Sequence, residues 1–94
     1  MLRSLSTLSL VLCLAACASA PVQEMSDARQ AISAARAAGA EVRAPADFRA
    51  AQSAIERAES RLQVHEYSQA RIDAVEAKRE ASAALTHSQS PGGT

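Results

Sequence analysis

The chain has 94 residues, ten basic and ten acidic, with a formal net charge of zero. That balance leaves no basic stripe for nucleic acid and no polybasic cluster for an anionic surface. Nearly half of the residues are apolar, yet aromatics are limited to one tyrosine and one phenylalanine, so any core is built mainly from small side chains.

The chain opens with a short cationic start, Met1-Leu2-Arg3, followed from Ser4 to Leu14 by mostly Leu, Val, Ser and Thr. Small residues, Ala15 and Ala16, then precede Cys17, which completes the anatomy of an export signal. The apolar stretch from Leu5 to Ala16 is well short of the roughly 20 residues that a membrane-spanning helix requires. Leu14-Ala15-Ala16-Cys17 resembles the lipobox of bacterial lipoproteins. The resemblance implies a diacylglycerol on the Cys17 sulfur, cleavage between Ala16 and Cys17, and acylation of the freed amine. Residues 1–16 are then a lipoprotein signal peptide and 17–21 a lipidated tether. Cys13 is a poor acceptor, because the bulky Leu12 precedes it where a small residue is needed. Two alternatives stay open: ordinary cleavage after Ala18, giving a soluble secreted protein, and an uncleaved anchor. Cleavage after Ala20 would leave Pro21 first, which signal peptidases tolerate badly.

Processing before Cys17 leaves 78 residues, and loss of Arg3 leaves nine basic against ten acidic groups. Membrane attachment then falls to the acyl chains, at roughly 0.8 kcal/mol per buried CH₂. Cys13 departs with the signal and Cys17 carries the lipid, so no disulfide is expected and the domain folds on packing alone. Domains of this size gain from self-association or a partner.

From residue 22 the sequence favours helix almost throughout, with alanine at 21 of the 78 positions. Met25, Ala28, Ile32, Ala35 and Gly39 recur at spacings of three and four, and Gly39 reads as a helix C-terminal glycine. Pro45 followed by Asp47 reads as a helix start. Phe48, Ala51, Ile55, Ala58 and Leu62 then repeat the pattern. After a break at His65-Glu66, Tyr67, Ala70, Ala74, Ala77, Ala81 and Ala84 form a third stripe, with Ile72, Val75 and Leu85 expected beside it. The expected fold is all-α: a small antiparallel three-helix bundle, with helices at about 22–38, 46–63 and 67–86. The alanine-rich domain covers 22–87, and 88–94, containing Pro91-Gly92-Gly93, is expected as a disordered tail.

Ala44-Pro45-Ala46-Asp47-Phe48-Arg49-Ala50-Ala51 and Glu66-Tyr67-Ser68-Gln69-Ala70, with the alanines that follow, resemble a family of alanine-rich bacterial envelope lipoproteins. These are built on a domain of unknown function that precedes an OmpA-like domain in some relatives. No OmpA-like sequence follows here, so peptidoglycan binding is not carried over. The second and third runs also resemble one tetratricopeptide-type hairpin, although His65-Glu66 stands where such turns usually have Gly and Asp or Asn. A single hairpin is too little for a repeat solenoid.

Catalytic candidates are weak. His65 and His87 lie far apart in sequence and lack the partners of a zinc site. Glu56 with Glu59, and Glu76 with Glu80, are interleaved with Arg57, Arg61, Lys78 and Arg79 and read as solvated helix faces. The expectation is therefore no enzyme, with no catalytic residues, cofactor, metal, nucleic acid or small-molecule substrate. Its one site is Cys17, and its partners are the membrane through the acyl chains, plus a second copy or an envelope protein. Ala18 after the cysteine, in place of the aspartate linked to inner-membrane retention in enteric bacteria, favours by resemblance the outer membrane, facing the periplasm. The accessory-subunit reading, in which the helices dock on a larger envelope complex, is the alternative.

Overall fold

A computed structural model describes residues 20–90, and these are helical apart from short turns. Four helices follow one another: α1 (Val22–Ala37), α2 (Ala40–Arg43), α3 (Pro45–Gln63) and α4 (Tyr67–Gln89). Among the described residues there is no strand.

Local chemistry sets the boundaries. α1 ends where Gly39 adopts a left-handed φ of +81° and its N–H reaches the Arg36 carbonyl at 3.0 Å. A residue with a Cβ enters that region at a cost, so glycine is the natural stop. Pro45 occupies the first position of α3, where its missing N–H costs no hydrogen bond, and Asp47 lies in the first turn beside the exposed amides. The α3–α4 turn achieves the same reversal without glycine. His65 sits at φ +61°, its N–H bonded to the Leu62 carbonyl at 3.1 Å, while the Glu66 N–H reaches the Arg61 carbonyl at 2.8 Å. Those two bonds form a Schellman closure. The turn that lacked its usual residues is thus a helix C-terminus with histidine in the glycine position.

Three expectations are corrected. The stretch between Gly39 and Pro45 is not a plain connection but the single-turn α2, which buries Ala40, is followed by the buried Ala44, and is clasped to α1 by Arg36 Nε donating to Glu41 Oε1 at 2.8 Å. The last helix does not stop at 86. It continues to Gln89, because Ser88 is buried, its Oγ donates to the Ala84 carbonyl, and its own carbonyl accepts from Arg43 at 3.2 Å. Residues 88 and 89 therefore belong to the helix and not to a tail. Finally, Ile72 and Val75 do not lie beside the seam but are 60% and 54% exposed. At 100° per residue they point away from the stripe through Ala70, Ala74 and Ala77.

The core has a hub. α4 buries Ala70, Ala74, Ala77, Ala81 and Ala84, and no larger apolar side chain. Met25 and Ile32 from α1, with Phe48 and Ile55 from α3, supply the bulk that packs onto it. Small residues on the hub let the neighbouring helices approach closely. Cross-helix pairs fix which ends meet. Arg61 with Asp73 and Arg57 with Glu76 join the end of α3 to the start of α4, whereas Asp47 with His87 joins their other ends. Glu24 with Arg71 places the start of α1 beside the start of α4, and Arg29 with Glu59 ties α1 to α3.

Candidate functional site

Cys17 and Ala16, the residues assigned to lipidation and cleavage, lie outside the described residues, as does the expected signal peptide. What the structure does define is where the described domain meets the segment carrying Cys17. The chain enters α1 at Val22, and the α3–α4 turn and the first turns of α4 lie at that same end, joined by the Glu24–Arg71 pair at 3.0 Å.

Most of the ion pairs join one helix to another. Glu76 accepts from Arg57 at 3.0 Å, and Glu59 lies 3.5 Å from Arg29, so neither pairs with the acid one turn away as a catalytic couple would. Glu80 is near Arg79 at 3.9 Å. His87 contacts Asp47 across the far end, while His65 stacks near Tyr67 with ring centroids 5.6 Å apart. The two histidines are therefore at opposite ends of the domain. Phe48 is buried, with the Arg36 guanidinium 5.4 Å above its ring, an arrangement that covers the core edge with a cation.

Asp73 is the residue that sequence reasoning missed. It is only 7% exposed, accepts from Arg61 Nε at 2.7 Å and lies 3.7 Å from Arg57 Nε. A signal existed: Asp73 is an acid next to the Ala70–Ala74–Ala77 stripe, and two arginines one turn apart precede it on the neighbouring run. Helix orientation was needed to bring them together.

Surface depressions are shallow. The one between α1 and α3, about 340 Å³, has Ile32 and Ile55 at its base, Arg29 and Arg36 on one wall, and Glu56 and Glu59 on the other. No group of three His, Cys, Asp or Glu side chains capable of holding a metal ion occurs among the described residues. Likewise, none of the described helices is long and apolar enough to cross a membrane.

These features define a small all-helical domain whose polar side chains lock helices to one another. The chain belongs to a family described as a domain of unknown function (DUF4398), whose model matches residues 23–90. That range takes in all four helices except the first residue of α1. No curated protein and no solved structure matches the chain.

Proposed function

We propose that this protein is a lipid-anchored lipoprotein of the bacterial envelope. Cys17 carries the acyl chains, and the helical domain faces the periplasm, in the outer membrane, as a structural or protein-interaction module. The observation that carries the reading is Leu14-Ala15-Ala16-Cys17 at the end of a cationic and then apolar segment. The helix pairs described above support treating α1, α3 and α4 as one up-down-up three-helix bundle, with α2 as a turn between its first two members. A rigid body of this kind, held by acyl chains, suits contact and spacing better than chemistry.

The test is Cys17→Ser. The protein should incorporate labelled palmitate and show an acylated Cys17 as its first residue by mass spectrometry; the variant should stay uncleaved and unlabelled. Processing of the variant at an unchanged rate refutes the anchor and leaves the soluble secreted reading. The alternative reading is an accessory subunit whose helices dock on a larger envelope complex. Cross-linking in intact envelopes separates the two, since an accessory subunit yields one dominant foreign partner.

A further inference from the structure

Five large apolar side chains are exposed among the described residues: Val22, Val42, Val64, Ile72 and Val75. Four of them share one end of the domain. Val22 begins α1, Val64 caps α3, and Ile72 and Val75 fall within the first nine residues of α4. The ion pairs Glu24–Arg71 at 3.0 Å and Arg61–Asp73 at 2.7 Å bring those three starts and ends together. Only Val42 lies at the opposite end, next to Arg43, which holds the carbonyl of Ser88. Tyr67, the sole tyrosine, is half-buried at the same end as the four, and tyrosine is a side chain with an apolar body and a polar tip.

We infer that this end of the domain lies against the lipid surface itself, as a second, weaker contact beside the acyl anchor. The inference rests on the lipoprotein reading, which fixes the geometry. From Cys17 to Val22 is a reach of at most about 18 Å even when fully extended. The anchor therefore holds this end, and not the Val42 end, beside the bilayer. Charge decides the kind of surface. Glu24, Asp27, Glu66, Asp73 and Glu76 outnumber Arg57, Arg61 and Arg71 here, and all three arginines are engaged with these acids, so the end fits a zwitterionic interface and disfavours an anionic one. The apolar side chains enter the boundary between headgroups and acyl chains while the paired charges stay in the headgroup layer.

Tyr67 supplies the probe, because the chain has one tyrosine and no tryptophan. The lipidated protein is placed in phosphatidylcholine vesicles in which some lipids carry a nitroxide high on the acyl chain. Tyr67 emission should be strongly quenched. In a chain with Tyr67→Phe and Ala46→Tyr, which moves the fluorophore to the far end, quenching should be slight. Ile72→Ser, Val75→Ser and Val64→Ser should lower the ratio of quenched to unquenched protein roughly fivefold for each side chain removed, with unchanged acylation and helix content. Equal quenching at both tyrosine positions, or wild-type quenching in the triple variant, overturns the contact. So does loss of the Tyr67 signal's lipid dependence with cross-linking of two copies through these same residues, which would assign the patch to a second copy. Mass spectrometry of Cys17 keeps the two proposals separate. If no acyl chain is present, the anchor reading fails, and the chain from Cys17 onward, coupled through that thiol to a maleimide phospholipid, gives the same quenching test.

Discussion

Replacing Asp73 by alanine removes the acceptor that holds Arg61 at 2.7 Å and faces Arg57 at 3.7 Å. Two magnitudes compete. Orphaning one half of a fully buried pair costs about 3–5 kcal/mol. The arginines here are not buried, however: their side chains keep 46% and 37% exposure, so water takes over once the carboxylate is gone. What remains is one charge-assisted hydrogen bond, about 1.5–3 kcal/mol, reduced by solvent screening. The expected loss is about 1.5–2 kcal/mol. For a domain of this size that lowers Tm by roughly 10 °C, measured by far-UV circular dichroism. A double-mutant cycle with Arg61→Ala isolates the pair and should return a coupling above about 1 kcal/mol. Glu76→Ala, which breaks a more exposed pair with Arg57, should cost less than about 1 kcal/mol. A coupling below about 0.5 kcal/mol, or equal losses for Asp73 and Glu76, would refute the claim that burial of Asp73 sets its contribution.

Phe48→Ala should cost about 3–5 kcal/mol, against a total of about 4–10 kcal/mol for some 70 residues, and should leave much of the chain unfolded in a denaturant titration. Ala77→Leu forces a large side chain into the hub and should destabilise by about 1–3 kcal/mol; a neutral result would mean the helices are not closely packed there. Gly39→Ala should cost about 1 kcal/mol through φ alone, because an added Cβ meets only Arg43 side-chain atoms at 3.8 Å. Ile72→Ser with Val75→Ser should change Tm very little, within about 0.5 kcal/mol per site, since both side chains are already mostly in water.

Features that depend on near neighbours were legible in the sequence. Gly39 and Pro45 mark helix ends because φ and the missing N–H are properties of one residue. The alanine stripes were legible because a helix repeats itself every three or four positions. Features that depend on distant partners were not. Ser88 is held by Arg43 from 45 positions away, and Asp73 is buried only because α3 brings two arginines over it. Ile72 and Val75 were misplaced for a different reason: hydrophobicity alone suggested the core, whereas the alanines had already claimed that face. The resemblance to a lipobox rests on residues 14–17 and owes nothing to the fold.

The allocation of side chains on α4 runs against what folding alone would favour. Its five buried apolar positions are all alanine, while its one isoleucine and its one valine face outward. Burying a Val or Ile side chain stabilises by about 1.5–3 kcal/mol, so a helix serving only its own core would carry those residues inside. An alanine hub instead trades buried area for close helix approach and draws its bulk from Met25, Ile32, Phe48 and Ile55 on the neighbouring helices. The outward Ile72 and Val75 then contribute little to the isolated domain, and their position is explained by something outside it. With Val22 and Val64 they lie at the end that a five-residue tether from Cys17 would hold beside the bilayer. On this argument the apolar surface missing from the hub is displayed where the proposed anchor would use it.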